Sequence, residues 1–353
     1  MTADAVRLDD TFVAPYAPNW VHGLVSRIER IPGPDWVVYA AAAAVLVVMI
    51  HGQAWALGTA PVGTFDLANT YYGILPVTLL WTAGYLERVA GSAFDAFRPA
   101  LRVSAAELAR LRWELVVVPA VPSLVITLAT LALTAASYAA DPVSSNVLGL
   151  PLPLLGIRLL VESFNGSIIL LLLYQLLRQM RQVSRTLGRS AVVDVFQPGP
   201  LHAFSRLTSR TGIAIVLLVV SSLVVVPLPT DSQLFLVVWA PYLFIPPIIA
   251  VIAFVQPLYG MHGRLVDEKE RLQGEAEERL KGLLAEINRD VDARDLTRAD
   301  GLSKTLAIVL QQREVLARLP TWPWSTGTLR TFVTAILLPL GLFLVQRLLT
   351  QLV

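Results

Sequence analysis

Charged and amide side chains inside an otherwise apolar stretch are the residues of this chain whose types and spacing best suit chemistry. Arg158, Glu162 and Asn165 lie four and three positions apart within the run Leu152–Leu177. That spacing puts all three on one face of a helix. Charges inside a membrane span are costly, so they usually pair or line a water-filled path. Two interpretations stay open: a structural ion pair that ties this helix to a neighbour, or a stripe lining a cavity open to the outside.

Further polar residues are predicted at a similar depth. Arg347 and Gln346 lie near the end of the last apolar run, and His51 lies in the first. If these side chains meet Arg158, the two arginines would attract anions, with Glu162 as the counter-charge. The alternative for Arg347 is a side chain that extends to the nearby membrane surface, and the alternative for His51 is a hydrogen-bonded packing residue. A small ligand or ion is the expected occupant of such a cavity.

The composition sets the class of protein that these residues belong to. Of 353 residues, 55% are hydrophobic and 15% are charged, whereas about a quarter of the residues in soluble domains are charged. We therefore predict an all-α polytopic membrane protein. The chain contains no cysteine, which excludes disulfides, thiolate metal sites and thiol catalysis. No phosphate-binding loop or zinc motif occurs, so we expect no enzymatic activity, cofactor, metal or nucleic-acid partner.

Seven apolar segments could span a bilayer, which takes about 20 helical residues. The fifth, Gly212–Val226, is short by itself, and we expect its helix to begin earlier, near Pro200. Basic residues set their orientation, because cytoplasmic loops carry most of the lysine and arginine. Nearly all of the 28 basic residues fall on one side of these segments. We therefore expect a cytoplasmic N-terminus and an external C-terminus. The predicted spans are Trp36–Leu57, Tyr71–Leu86, Leu115–Tyr138, Leu152–Leu177, Gly212–Val226, Leu234–Pro257 and Leu329–Leu349.

The regions between and beside the spans have their own patterns. Residues 1–34 include a short amphipathic helix suited to the membrane interface, and Ala93–Glu114 predicts another helix at the inner leaflet. Prolines are expected to kink the spans that contain them. The apolar face of the interfacial helix comprises Trp20, Val21, Leu24, Val25 and Ile28. The kinks are expected at Pro119 and Pro122 in the third span, Pro241, Pro246 and Pro247 in the sixth, and Pro339 in the seventh.

Residues 258–320 have the pattern of a water-soluble helical hairpin. The first arm, Leu258–Ile287, places apolar residues three, four or seven apart and separates them with mixed charges. The stretch Asn288–Asp300 is rich in aspartate and arginine and predicts a turn. A second amphipathic arm follows, and the two arms are expected to bury their apolar stripes against each other. The hairpin would separate the six spans of residues 35–257 from the seventh span in residues 321–353.

The predicted layout has four defining features. These are seven helices, an internal N-terminus with an external C-terminus, helices four to six extended into the cytoplasm, and a cytoplasmic helix before the last span. This layout resembles that of the insect odorant and gustatory receptor-type channels over the whole chain. The last span has Val345-Gln346-Arg347-Leu348, where the family carries a Thr-Tyr and Gln-Phe pattern. The resemblance implies a homo-oligomer held together by cytoplasmic helices, with Leu329–Leu349 facing the pore.

Three functions therefore remain open. The first is an oligomeric ion channel or channel-like receptor, in which a hydrophobic gate opens when it wets. The second is a transporter or ligand-binding sensor that uses the Arg158 stripe, and the third is a non-catalytic scaffold whose hairpin docks a partner. Arginine far outnumbers lysine, which favours a prokaryotic source and a plasma or inner membrane bilayer. Gate residues would be Leu337, Leu340 and Leu344, and assembly residues would be Leu265, Leu272, Leu302, Leu306 and Val309.

Overall fold

The computed structural model shows a chain built from helices. It describes residues 13–101, 103–142, 147–190, 199–225, 240–294, 297–337 and 341. Within these residues no β-strand forms, and an isolated bridge joins Pro18 to Pro119. The helices are α1 (Trp20–Ile28), α2 (Asp35–Ala56), α3 (Leu67–Phe97), α4 (Ala105–Val116), α5 (Ala120–Ala140), α6 (Leu152–Ser190), α7 (Gly199–Val225), α8 (Ala240–Asp292), α9 (Ala299–Arg318) and α10 (residues 326–337).

Four of the described helices are long and apolar enough to cross a membrane. They are Asp35–Ala56, Ala120–Ala140, Leu152–Val183 and Pro247–Asp292. Only 17% and 11% of the most apolar windows of the first two are buried inside the protein. Apolar side chains exposed along whole helices suit lipid rather than water. These helices match predicted spans one, three, four and six and support the predicted membrane class, whereas spans two, five and seven stay predictions.

One core holds α1 against the middle of the helical bundle. The side chain of Asn19 caps α1 by accepting a hydrogen bond from the backbone N–H of His22 at 2.7 Å. Val21 and Val25 are buried on α3 and α6. The amphipathic helix predicted near the N-terminus is therefore present, and its apolar face packs on protein. The other buried members of this cluster are Tyr39, Leu79, Leu80, Ala83, Leu86, Val118, Ile168, Leu171 and Leu172.

An ion pair adds a pH-dependent contact between α1 and α3. The Nδ1 atom of His22 lies 2.8 Å from Oε2 of Glu87. This hydrogen bond raises the pKa of His22 above its ordinary value of 6.5, although partial burial opposes the rise. The charged form of His22 is thus favoured in the folded protein. Its contribution is fully present below pH 6.5 and is lost as the pH rises through the raised pKa.

We expect the melting temperature of the wild-type protein in detergent to fall by a few degrees between pH 6 and pH 8.5, relative to His22→Gln. Partly exposed ion pairs contribute up to about 1 kcal/mol, which shifts the melting temperature of a protein of this kind by a few degrees. Replacing His262, which contacts Thr321 and Trp322, provides the control His262→Gln. Parallel pH profiles for wild type and His22→Gln would show that the pair contributes no pH dependence.

A second core joins the lower part of α3 to α7, α8 and α10. Phenylalanine rings form its centre: the centroids of Phe97 and Phe204 lie 4.5 Å apart, and those of Phe254 and Phe332 lie 4.3 Å apart. Leu258, Met261 and Leu265 of α8 continue this core beyond the end of the predicted sixth span. The same buried cluster therefore connects the apolar part of α8 with its charged part.

The structure corrects two predicted boundaries. Helix α3 continues to Phe97, and a 3₁₀ turn at Arg98–Ala100 separates it from α4, so a single helix over Ala93–Glu114 is wrong. Predicted span three begins at Leu115, but α4 ends at Val116 and α5 starts at Ala120. Pro119 is the N-cap of α5, and Pro122 lies in the first turn. Both prolines therefore mark a helix start, where a missing N–H is tolerated, rather than a kink.

The predicted hairpin is present as α8 and α9. Lys269 donates hydrogen bonds to the carbonyl oxygens of Ala317 and Leu319 at 2.8 and 2.9 Å, which ties the first arm to the end of the second. The turn is shorter than predicted, since α8 continues to Asp292 and α9 begins at Ala299. Helix α8 also runs unbroken past Pro257, as expected for a sixth span joined to the first arm, so the predicted region boundary there falls inside one helix.

Glycines allow three pairs of helices to approach closely. A Cβ atom added to Gly73 of α3 would lie 2.8 Å from Cα and 2.9 Å from N of Val47 in α2. A Cβ atom at Gly166 of α6 would meet Thr130 of α5 at 2.7 Å, and one at Gly212 of α7 would meet Phe332 of α10 at 2.7 Å. Small residues at such contacts are typical of helix packing in membranes.

Candidate functional site

The predicted polar stripe on α6 contains an ion pair. Arg158 donates from Nε to Oε1 of Glu162 at 2.9 Å, across one turn of the helix. The two side chains are 33% and 42% exposed, so solvent or a ligand can reach both. Tyr138 of α5 is buried beside the pair. The structure thus brings together an arginine, a carboxylate and a phenol at the end of α5 and the start of α6.

One to two turns further along α6, buried polar atoms lack partners. Asn165 and Ser163 are both buried, and neither Oδ1 of Asn165 nor Oγ of Ser163 is hydrogen-bonded to any described residue. A buried acceptor left without a donor costs about 1–3 kcal/mol. A water chain or a bound ligand would supply that donor. Arg158, Glu162 and Asn165 therefore form a polar stripe, called the polar path below, that is partly exposed at Arg158 and Glu162 and buried at Asn165.

His51 belongs to a different part of the structure from this path. Its Nδ1 atom donates to the carbonyl oxygen of Val47 at 2.9 Å, and its Nε2 atom accepts from the backbone N–H of Asp66 at 3.2 Å. The ring of Phe65 lies 4.6 Å away. One nitrogen is thus bonded within α2, and the other holds the end of the loop between α2 and α3. Among the described contacts of His51, none involves α6, and the packing interpretation explains its surroundings.

The predicted residues of the last span are only partly described. Gln346, Arg347, Leu340 and Leu344 lie outside the described residues, as does Pro339. Leu337 is described and is 61% exposed. It faces away from the second core, in which Phe332 and Ile336 of the same helix are buried. The remaining exposed residues of this helix are Thr326, Gly327, Arg330, Thr331, Val333 and Thr334.

The predicted assembly residues of the hairpin lie mainly inside the chain. Leu265 and Val309 are buried, while Leu272, Leu302 and Leu306 are partly buried. The apolar stripes of α8 and α9 are thus used against each other, as the pattern of two antiparallel arms predicts. The large hydrophobic side chains that the hairpin leaves exposed are Tyr259, Leu284, Val291, Ile308, Leu310 and Val315.

A cluster of hydrogen bonds that the sequence did not predict lies at the break between α4 and α5. Four consecutive carbonyl groups, two at the end of α4 and two after it, accept hydrogen bonds from other parts of the chain. Gln179 donates to Leu115 at 3.1 Å, and Gln175 donates to Val116 at 3.4 Å. Arg178 and Tyr16 both donate to Val117, and the backbone N–H of Asn19 donates to Val118 at 3.0 Å. We call these donors and carbonyls the carbonyl clamp.

The carbonyl clamp replaces the hydrogen bonds that the helix break removes. The last carbonyls of a helix have no partner within it, and in a membrane protein they must be satisfied by protein. Val117 and Val118 are each only 2% exposed. A sequence signal did exist, since Gln175, Arg178, Gln179 and Gln182 recur at helical spacing on α6. Gln175, Arg178 and Gln179 donate to backbone carbonyl oxygens, which no side-chain pattern reveals, whereas Gln182 donates to the carboxylate of Glu114.

Stacked rings connect the hairpin to the start of α10. The ring of His262 stacks on Trp322 at 3.9 Å, Trp322 stacks on Trp324 at 4.2 Å, and Trp324 stacks on Phe254 at 5.4 Å. Phe254 in turn stacks on Phe332. This aromatic column holds the Pro320–Gly327 connection against α8. The position of α10 therefore depends on α8 through a rigid contact.

Comparison with protein-family models, with curated proteins and with solved structures finds no match to this chain.

Proposed function

We propose that the chain is a subunit of a homo-oligomeric membrane channel in a plasma or inner membrane, with seven spans and a cytoplasmic N-terminus. The observation that carries the proposal is the exposed face of α10. Arg330, Thr331, Thr334 and Leu337 are exposed on this helix, while Phe332 and Ile336 anchor its other side. The exposed side thus carries arginine and threonine beside the apolar Val333 and Leu337. A helix that is fixed on one side and carries such a mixed face on the other is suited to line a path for water and ions.

The exposed face of α5 is more apolar than that of α10, which supports a pore-lining role for α10. The exposed residues of α5 include Val121, Leu124, Val125 and Leu128, all apolar side chains that suit lipid. Threonine and arginine are less favourable than these side chains in contact with lipid tails. The face of α10 is thus better suited to water or to another copy of the chain. Leu337 would supply a hydrophobic constriction, with Leu340 and Leu344 continuing it at helical spacing.

The hairpin offers a surface for assembly. Because its predicted stripe is used within the chain, we assign assembly to the exposed apolar residues of α9 instead. Ile308 and Val315 lie seven residues apart and hence on one face of that helix. Exposed apolar residues at such spacing form the seam of helix–helix association. Copies joined through α9 would place α10 of each subunit around a common axis.

The channel proposal predicts leak from a single substitution. We expect Leu337→Ser to raise ion flux at least about tenfold in liposomes that contain the purified protein, because a polar side chain removes the dewetting barrier at a hydrophobic gate. Flux of K⁺ would be followed with an enclosed fluorescent indicator. Leu128→Ser, also at an exposed leucine of an apolar helix, is the matched control and should leave the flux unchanged.

The mass of the purified complex provides the second readout. A closed oligomer of several subunits, measured by native mass spectrometry, would support the pore. A monomer with unchanged flux in Leu337→Ser would reject the channel.

The polar path on α6 supports a second candidate function, a transporter or ligand-binding sensor. The partly exposed pair of Arg158 and Glu162 shares one helix face with the buried Oδ1 of Asn165, which has no hydrogen-bond partner among the described residues. An arginine at the mouth of such a path favours a small anion. Under this proposal Arg158→Gln abolishes chloride uptake into liposomes and leaves the mass of the complex unchanged. Uptake equal to that of wild type would remove this candidate.

A further inference from the structure

A cleft between α3 and α7 combines positive charge with apolar walls. Its volume is about 240 Å³. Helix α3 supplies one wall and helix α7 the other, so the cleft lies between two elements of the second core. Its lining residues are Val89, Ser92, Ala93, Ala203, Arg206, Leu207 and Arg210.

The two arginines of the cleft carry unneutralised charge. Arg206 and Arg210 are exposed and lie one turn apart on α7, and no described residue forms an ion pair with either. Like charges at this spacing destabilise a helix slightly. Other arginines nearby are paired: Arg88 binds Glu29 at 2.7 Å, and Arg112 binds Asp95 at 3.0 Å. The cleft is therefore a place where an anion would be stabilised.

The effect of this charge is visible at a neighbouring residue. Partial burial lowers the pKa of His202, and the positive charge of Arg206 lowers it further. No carboxylate lines the cleft to offset the arginines. The two guanidinium groups instead present planar donor sets that suit phosphate oxygens.

The same face of α7 changes from charged to apolar within two turns. Leu217 lies seven residues beyond Arg210, on the same side of the helix, and is 54% exposed. The predicted fifth span begins at Gly212. This order places the arginines at headgroup depth and the exposed leucine at acyl-chain depth. A free phosphate would use only the charged half of this surface, whereas a phospholipid would use both halves.

We propose that the cleft binds the phosphate headgroup of an anionic phospholipid, with Arg206 and Arg210 holding the phosphate and the face of α7 around Leu217 contacting an acyl chain. Basic pockets between membrane helices are a known way of selecting anionic lipids. The site does not depend on the channel proposal, because it uses neither α10 nor the hairpin.

The test compares lipid binding by native mass spectrometry of the full-length protein released from detergent. Phosphatidylglycerol is the anionic probe, and phosphatidylcholine is the neutral one. We expect wild type to retain phosphatidylglycerol in preference, and Arg206→Gln/Arg210→Gln to weaken that binding roughly 25-fold, since each basic residue near anionic lipid contributes a factor of about five. The charge-matched control is Arg27→Gln/Arg181→Gln, which changes two exposed arginines outside the cleft.

A second variant tests the cleft without changing its charge. Ser92 is exposed at the rim, so Ser92→Leu fills the cleft while leaving the core intact, and it should also weaken phosphatidylglycerol binding. Equal losses in the cleft and control double variants would show that only overall charge matters and would overturn the proposal. Displacement of the lipid by millimolar inorganic phosphate, with no preference for an acyl chain, would instead identify a site for soluble anions and would also overturn it.

Discussion

Replacing Gly73 with alanine is expected to destabilise the protein by about 3 kcal/mol, the upper part of the range for overpacked sites. The new Cβ atom would lie 2.8 Å from Cα and 2.9 Å from N of Val47. These are backbone atoms of α2, so no side-chain rotation relieves the clash. The two helices would have to move apart along their whole contact. The free energy of unfolding, measured from helical circular dichroism during denaturation in mixed micelles, checks this value.

The same substitution at another glycine of this helix pair should not lower the free energy of unfolding. Gly52 lies in α2, and a Cβ atom there meets nothing within 4 Å. Alanine is favoured over glycine in a helix by up to about 1 kcal/mol, so Gly52→Ala should leave the free energy of unfolding unchanged or raise it. If both substitutions gave equal values, the close approach of α2 and α3 at Gly73 would be wrong.

Replacing Arg178 with methionine is expected to cost about 3 kcal/mol. Arg178 donates to the buried carbonyl oxygen of Val117 and to the hydroxyl of Tyr16. A hydrogen bond from a charged group contributes about 1.5–3 kcal/mol. Arg178 makes two such bonds, and without them the carbonyl oxygen of Val117 keeps only the bond from Tyr16. Methionine keeps the apolar stem but removes both bonds. We expect the loss to appear both as a lower free energy of unfolding and as faster proteolysis between α4 and α5.

Arg181 supplies the control for this substitution. It lies three residues further along α6 and is exposed, so Arg181→Met removes the same charge without touching the carbonyl clamp. Its free energy of unfolding should stay within about 0.5 kcal/mol of wild type, as is usual for surface substitutions. Equal destabilisation by the two variants would mean that charge on α6, rather than the clamp, holds the break together.

Local patterns in the sequence predicted the helical class, α1, the hairpin and the continuation of α8 past Pro257. Each of these depends on spacing between apolar and charged residues, which is visible in the chain itself. The break before α5 was not predicted, because no such spacing marks it. Leu115–Val118 is an apolar run, and hydropathy alone joins it to the span that follows.

The candidate site was predicted less well than the fold. Arg158 and Glu162 pair across one turn, a local contact that their spacing implies. His51 was grouped with them by depth, but its partners are Val47 of α2 and Asp66 at the end of the α2–α3 loop. The cleft at Arg206 also depends on packing, because its other wall comes from α3. A position in the sequence indicates how deep a residue lies in the membrane. Which residues lie side by side at that depth is known only from the tertiary structure.

Helix α8 has a mechanical consequence for the whole molecule. Its 53 residues extend for about 80 Å at 1.5 Å per residue, more than twice the roughly 30 Å hydrocarbon thickness of a bilayer. In an unbroken helix, the residues at the two ends keep their relative orientation around the helix axis. A rotation of the charged half about the helix axis would therefore be passed to the apolar half and, through the contact of Phe254 with Phe332, to α10.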